Sequence, residues 1–507
     1  MRPFVLCQVP RTKFHTHKNK GRTKKINSEI SMSKRSVIFI LSLQLIGTTT
    51  YAQSETPKNI LLICIDDLRP ELASFGAEHI YSPNIDKLAQ KGRPFLNHFV
   101  NAPSCGPSRY TLLTGMYGPA GNDALFLRAK QVENGQGNAQ PTMPEWFKKY
   151  GYTTVSVGKV SHHPGGLGGP DWNDGQAIEL PNAWHRSLMP VGAWQHPRGA
   201  MHGLANGTIR SKEKGTMPVY EAAANEGDTY PDDLITEQAL SELETLSSTA
   251  DTPFFLAVGI IKPHLPFGAP KEFLDLYNDA SFPENPYPNK PQGKSTWHPS
   301  GEMMQYNLWQ KDMFNDADFA VELKKYYAAC VSYADAQVGK ILKKLEETGA
   351  DKNTIVALWG DHGWNLGEHG IWGKHNLFDV ALKSPLIIYA PGMAEPGEKA
   401  LGIVETLDIF PTLCDITGLP KADFSQGNSL VPMLENPMAS GHAAVSYLKN
   451  AQSIRVPGYR LIAHNDESME LYDYESTEKE NRNIADDHPD KVAELKRLLR
   501  SKLDRVR

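Results

Sequence analysis

Cysteine is scarce in this 507-residue chain, which has only Cys7, Cys64, Cys105, Cys330 and Cys414. No C-x-x-C pair occurs, so neither a disulfide framework nor a zinc knuckle organises the fold. No run of 18 apolar residues is present, which excludes a segment with the character of a membrane-spanning helix. Positive charge is also short. The first 52 residues hold ten Lys or Arg against the single acid Glu29, and beyond them 43 basic residues face 57 acidic ones, a net charge of −14. Such a chain is no general binder of nucleic acid or other polyanions. If its ligand is anionic, the positive potential has to be local.

The basic excess at the start has its own reading. Met32, Lys34 and Arg35 form a short basic region and Val37 to Ile46 an apolar stretch too short to span a bilayer. Thr50-Tyr51-Ala52 then offers a small-residue cleavage site, so residues 1–52 are expected to be a leader ending in a secretory signal cut before Gln53. Residues 1–31 read as a long basic extension or as the product of an earlier start codon. No Cys follows the cut, so a lipid anchor is not expected, and the mature chain is expected in the periplasm or secreted, free of the membrane.

What is there is the pattern of an α/β protein. Asn59 to Ile65 (NILLICI) is a short apolar run that reads as a buried parallel strand and ends in Asp66-Asp67. Thr153 to Val157 likewise precedes Gly158-Lys159, Phe254 to Ile261 precedes Lys262-Pro263-His264, and Thr354 to Leu358 precedes Gly360-Asp361-His362. Helical patterns at Ser82 to Lys91, Met143 to Tyr150, Asp233 to Leu246 and Ala317 to Leu345 alternate with these runs, which predicts a mostly parallel sheet covered on both faces. Polar residues at strand exits stand where such sheets build sites. The tail changes character. Ala443 to Leu448, Tyr459 to Ala463 and Leu471 to Tyr474 are short strand-like runs, followed by an amphipathic helix from Pro489 to Leu503. The expected division is therefore 53–437 for the main domain and 438–507 for a small antiparallel subdomain. Residues 163–220, rich in Gly and Pro and carrying Trp172, Trp184 and Trp194, read as a long ordered loop of the lid or binding type, with packing as the plain role of the tryptophans.

One segment carries the chemistry. Cys105-Gly106-Pro107-Ser108-Arg109, continuing to Leu113-Thr114-Gly115, would by itself suit either a low-pKa nucleophile or a buried structural Cys. The whole string resembles the signature of type I sulfatases, in which that Cys is oxidised after translation to formylglycine. Gly158-Lys159-Val160-Ser161-His162, Lys262-Pro263-His264-Leu265-Pro266-Phe267 and Gly360-Asp361-His362-Gly363-Trp364 with Gly367-Glu368-His369-Gly370 are similar to the iduronate-2-sulfatase group within that family. The resemblance spans Asn59 to about Asp486 and implies an alkaline-phosphatase-like large mixed sheet sandwiched by helices.

It also implies roles. Asp66, Asp67, Asp361 and His362, with residue 105 beside them, match the metal site, and the expected ion is one Ca²⁺. Three carboxylates form a hard-oxygen set suited to Ca²⁺ or Mg²⁺, while the nitrogen of His362 keeps manganese and zinc open. Arg109, Lys159 and Lys374, the last in Trp372-Gly373-Lys374-His375, match the cations of the sulfate site, which would supply the local positive hole that net charge lacks. Cys105 as formylglycine is the implied nucleophile and His264 the implied donor of a proton to the leaving alcohol. The base that releases sulfate matches His162 by its three-residue offset from Lys159, or His163 by the Pro164 and Gly165 that follow; the offset favours His162. A formylglycine-generating or sulfatase-maturating enzyme is implied as a partner.

The implied activity is removal of sulfate from sulfated polysaccharides or their oligosaccharides. Ulvan or carrageenan fragments and 2-O-sulfated uronates are all candidates, with strict iduronate-2-sulfatase action as the alternative. Two other readings compete. A two-zinc phosphatase of the same superfamily would need Ser or Thr in place of Cys105 and further His and Asp ligands. A non-catalytic binder of sulfated glycan would keep Cys105 as an unconverted thiol.

Overall fold

Strand β1 (Asn59–Ile65) is apolar on both sides because both sides are covered. Leu61, Ile63 and Ile65 enter one core while Ile60, Leu62 and Cys64 enter another on the opposite face of the sheet, the period-two alternation of a central strand. The computed structural model describes residues 58–504 except 136–138, 167–170, 174–176, 222–224 and 250–251. The expected leader, 1–52, lies outside the described residues.

The other strands of the main sheet are β2 (Arg93–Phe99), β3 (Thr153–Gly158), β4 (Arg186–Leu188), β5 (Phe254–Ile260), β6 (Thr354–Gly360), β9 (Leu386–Tyr389) and β10 (Ala400–Glu405). Between β6 and β9 lies a two-residue ladder of β7 (Asn365–Leu366) and β8 (Trp372–Gly373). The sheet order is β10-β2-β9-β6-β1-β5-β3-β4. All neighbours are parallel except β9, which runs antiparallel to both β2 and β6, so the sheet is mixed.

Helices cover both faces. The longest, Ala317–Glu347, starts at Asp316, whose carboxylate accepts the Phe319 N–H at 3.0 Å and so satisfies one of the free donors of the first turn. It buries Leu323, Tyr327, Ala334, Val338, Ile341 and Leu345, a stripe at helical spacing. Among the described residues no helix is long and apolar enough to cross a membrane. Cys64, Cys105, Cys330 and Cys414 are all free and buried. In the 163–220 stretch Trp194 is buried and donates its indole N–H to the Leu204 carbonyl at 2.8 Å, and Trp184 packs on Phe255, as structural tryptophans do.

The C-terminal sheet is an antiparallel meander of β11 (Ala444–Tyr447), β12 (Ala451–Val456), β13 (Tyr459–His464) and β14 (Met469–Asp473). Helix Pro489–Asp504 lays Leu495 and Leu499 against its Val445, Ile454, Leu461 and Leu471. Arg460 ties this sheet to the segment between β8 and β9. Its buried fork donates to Asp379 from Nε at 3.1 Å and Nη2 at 2.5 Å, and Tyr474 donates to the same oxygen at 2.8 Å.

A second tie yields a pH prediction. His442 Nε2 lies 2.8 Å from Asp408, its Nδ1 lies 3.0 Å from the Ala443 carbonyl, and Glu405, bonded to Lys502 at 3.0 Å and to Tyr117 at 3.1 Å, completes the cluster. Burial opposes charge on this imidazole, but Asp408 and then Glu405 outweigh it and lift its pKa to about 9. A folded pKa above the unfolded value of about 6.5 gives stability that is complete below pH 6.5 and lost as pH rises toward 9, on the order of 3 kcal/mol. Urea unfolding of His442→Gln should therefore show a deficit at pH 6 that shrinks by pH 9.5. A deficit that ignores pH would mean the ring is neutral in the fold.

Candidate active site

Four adjacent parallel strands, in the order β6-β1-β5-β3, release their polar residues along one edge. Asp66-Asp67 follow β1, Lys159 follows β3, His264 lies four residues beyond β5, and Asp361-His362 follow β6. Gly158 makes the β3 exit possible. Its φ is +74°, and a Cβ there would fall 2.4 Å from the Gly259 carbonyl oxygen. Asp67 itself sits at φ 57°, a conformation that Asp tolerates better than most residues, and Tyr327 of the long helix pins its carbonyl with a 2.9 Å hydrogen bond.

Helix Cys105–Thr114 closes the edge from the side. Its first turn fits only because residue 106 is glycine, since a Cβ there would stand 2.3 Å from the Asn122 Cα. Asn122 Oδ1 accepts from both the Gly106 N–H at 3.1 Å and Ser104 Oγ at 2.9 Å. Ser108 donates to the Asp361 carbonyl at 2.5 Å. The motif thus braces the strand that carries the acid, and it sets Cys105 at a helix N-terminus, where the partial charge favours anions.

Cys105 is the centre. Its Sγ lies 3.3 Å from Lys374 Nζ, 3.3 Å from His362 Nε2 and 4.0 Å from Asp67 Oδ1. Burial, then the nearby Asp66 charge, pushes its thiol well up, so the unmodified residue is a protonated thiol and a poor nucleophile. Lys374 donates to Asp67 Oδ1 at 2.7 Å, and Lys159 pairs with Asp66 Oδ2. Arg109 is fully buried and its donors are occupied within the protein. Nη2 reaches Asp361 at 2.9 Å and Asp66 at 3.2 Å, Nε reaches Asp361 at 3.1 Å, and Nη1 donates to the carbonyls of Lys159 and Val160.

Three carboxylates and three cations balance formally, yet the acids are not all content. Burial works against charge on Asp66, but Lys159, His264 and Arg109 hold it well below the usual range. Asp67 is pushed well up by burial and the neighbouring acids, and Asp361 to about 7 by burial and Asp66. Asp67 Oδ2 is buried with no hydrogen-bond partner. His362 Nδ1 donates to the Gly363 carbonyl at 3.0 Å, which leaves the lone pair on Nε2 aimed at Asp67 Oδ1 (3.3 Å) and Asp361 Oδ1 (3.5 Å). Ligand atoms of Asp66, Cys105, Asp361 and His362 all lie within 4.8 Å of one another. Orphaned carboxylate oxygen and an inward-facing imidazole lone pair fit a hard divalent cation, which would ionise both acids and leave the pocket at a formal +2.

The remaining expected residues fall around this centre. His264 Nε2 is 4.0 Å from Asp67 Oδ2 and 3.7 Å from Glu302 Oε1. Its Nδ1 sits 2.6 Å from the Leu265 carbonyl, and Lys262 Nζ holds the same turn through the Pro266 carbonyl at 2.5 Å. His162 lies within electrostatic reach of Lys159, Asp66 and Arg109 and its buried Nδ1 has no partner. His163 turns to Glu179, which accepts its backbone N–H at 2.6 Å, and to the ring of Phe126. Sequence reading overlooked Glu302, His202 and Tyr306. Glu302 Oε1 stands 3.5 Å from Lys374 Nζ, the His202 ring lies 5.2 Å from that of His264 at a tilt of 56°, and Tyr306 OH lies 3.4 Å from His202 Nδ1. They lie in stretches without periodicity or motif, so no signal marked them.

Comparison with known proteins places the chain in one family. The family model described as sulfatase matches residues 58–419, and that of the N-sulphoglucosamine sulphohydrolase C-terminal region matches 367–507. Human iduronate 2-sulfatase is 35% identical over 420 residues, 74% of this chain and 72% of its own. A sulfatase of Formosa agariphila is 31% identical over 469 residues, 88% of this chain and 87% of its own. A protein solved in complex with its substrate D-glucosamine-2-N, 6-O-disulfate superposes with a TM-score of 0.67 at 24% identity, over 89% of this chain and 98% of its own, and shares the alkaline-phosphatase-like fold. Matches of this extent make the chain a member of the sulfatase family, a sulfuric ester hydrolase.

Proposed function

We propose that the protein removes sulfate from sulfated polysaccharides or their oligosaccharides, with Cys105 converted to formylglycine and one Ca²⁺ held by Asp66, Asp67, Asp361 and His362. The observation that carries this is the position of Cys105, 3.3 Å from both Lys374 Nζ and His362 Nε2 at the rim of the carboxylate cluster. Once matured and loaded, the aldehyde hydrate supplies the attacking oxygen and the cation supplies Lewis-acid charge. The chain's own residues do the rest. Lys159 and Lys374 are the cations whose charge can meet sulfate oxygens, while Arg109 acts behind them by holding Asp66 and Asp361 in place. With its Nδ1–H held by the Leu265 carbonyl, His264 would give a proton to the leaving alcohol from Nε2 as the imidazolium, and His162 is set to take one as sulfate departs; the engagement of His163 with Glu179 supports that choice.

His264→Ala should lower turnover of sugar sulfates by about 10² to 10⁴-fold. Aryl sulfates, whose leaving phenol needs less protonation, should lose much less. Equal losses on both would remove His264 from the proton step.

A saccharide substrate is supported by the naming of the human and mouse relatives as iduronate 2-sulfatases. A 2-O-sulfated uronate is therefore the first substrate to try, and ulvan or carrageenan fragments the next. Export is supported by the basic and apolar pattern at 32–52, and a formylglycine-generating enzyme is the partner this chemistry requires. The test is sulfate release by the matured chain from heparin, dermatan, ulvan and carrageenan oligosaccharides. Release from uronate 2-sulfates alone would give the iduronate-like specificity, and release from algal fragments would give the broader one. Silence across the panel with residue 105 oxidised would overturn the saccharide reading.

A further inference from the structure

Among the described residues, most buried and half-buried arginines have acceptors. Arg69 bonds Glu368, Arg93 four backbone carbonyls, Arg128 Glu145, Arg186 Glu242 and Arg460 Asp379. Arg210 is different. Its guanidinium stands 4.9 Å over the ring of Tyr306, and among the described residues it makes no hydrogen bond or ion pair. A half-buried guanidinium with five donors and only a ring face as company retains its capacity for a forked anion.

Its place gives that capacity a direction. Tyr306 OH is 3.4 Å from His202 Nδ1, and the His202 ring is 5.2 Å from His264 beside the sulfate hole. Trp172, half-buried, lies 6.3 Å from His202 and 5.7 Å from His162. Ring contacts thus run from the hole through His264, His202 and Tyr306 to Arg210, and the half-buried His162, Trp172 and His202 keep surface of the kind against which a sugar ring packs, while Tyr306 is buried. Glu302, 3.5 Å from Lys374 and 3.7 Å from His264, has a buried oxygen with no partner, to which a sugar hydroxyl could donate. An anionic group beside Glu302 would be repelled, whereas one beside Arg210 would meet a guanidinium.

We propose that Arg210, backed by Tyr306 and His202, is a second anion subsite that holds a carboxylate or a further sulfate of the same saccharide whose ester is cleaved. The inference rests on the saccharide reading above and sharpens it to sugars with two acidic groups. Bidentate recognition by a guanidinium suits both groups, so the test separates them.

The full mature chain carrying Cys105→Ala, which cannot turn substrate over, is titrated by calorimetry with two pairs of ligands. One pair is a 2-O-sulfated uronate disaccharide and its carboxyl-reduced analogue; the other is a glucosamine disulfate and the corresponding monosulfate. Preference for the more anionic member of one pair by about ten- to a hundredfold is expected, the range of a charged hydrogen bond. The preferred pair names the group. Adding Arg210→Ala should bring the preference to within about twofold, while Arg210→Lys should keep part of it. If the alanine variant fails to fold, Arg210→Gln makes the same comparison. No preference in the parent, or a preference that Arg210→Ala and Arg210→Gln leave intact, would overturn the subsite. If the preference behaves as expected but the matured wild-type chain frees no sulfate from either ligand, the subsite stands and the saccharide sulfatase reading falls.

Discussion

Cys105→Ala is expected to lower sulfate release by about 10⁵ to 10⁶-fold, the scale on which other enzymes lose a covalent nucleophile. The residue sits where Lys374, His362 and Asp67 converge, and among the described residues no other Ser, Thr or Cys side chain bonds to these three side chains. The fold should tolerate the change. Cys105 is buried, and trimming its sulfur costs about 1 kcal/mol, as for a buried methylene. Thermal unfolding should therefore stay close to wild type while turnover vanishes. Residual activity above about one part in a thousand, after control for contaminating enzyme, would place the nucleophile elsewhere.

Arg109→Met is the counterpart, with its largest effect on stability. One guanidinium faces both Asp66 and Asp361 at 2.9 to 3.2 Å with no solvent access. Removing it leaves two buried carboxylates short of a partner, a defect that costs about 3 to 5 kcal/mol. Urea unfolding in the presence of a chelator should show that full deficit. Saturating Ca²⁺ should narrow it, because the ion would neutralise the same carboxylates. Arg109→Lys should also fail to restore wild-type stability, since one ammonium cannot span two acids and the carbonyls of Lys159 and Val160. Wild-type stability in Arg109→Met would mean that the acids are not ionised in the metal-free fold.

The parts of this molecule visible in its sequence are those where one local rule dominates. β1, β5 and β6 are unbroken apolar runs, and the polar residues at their exits mark the sheet edge that carries the site. β2 (RPFLNHF) hides its strand character behind a proline and three polar residues, β9 is only four residues long, and β12 (AQSIRV) alternates too weakly to stand out. Their pairing is decided by long-range register rather than by local pattern. The antiparallel β9 follows from the same cause, because chain direction in a sheet leaves no mark on composition. At the site, the motif residues are reached through their resemblance to the sulfatase signature, because no local pattern singles them out. Arg109 could not be turned in advance: only packing shows its donors directed at Asp66 and Asp361. Glu302, His202, Tyr306 and Arg210 come from loops whose meeting is a tertiary event.

Residues 105 to 109 are all buried, and the side chains of Ser108 and Arg109 have no accessible surface at all. Any enzyme that recognises this string as a linear peptide, Cys105 with Pro107 and Arg109, cannot reach it on the finished protein. If Cys105 is oxidised as proposed, the reaction has to happen while the polypeptide is still open, and activation would then be a race between the oxidising enzyme and folding. Molecules that fold first are trapped with the thiol for the lifetime of the native state. The specific activity of a preparation is then a record of its biosynthesis, fixed before the protein meets any substrate.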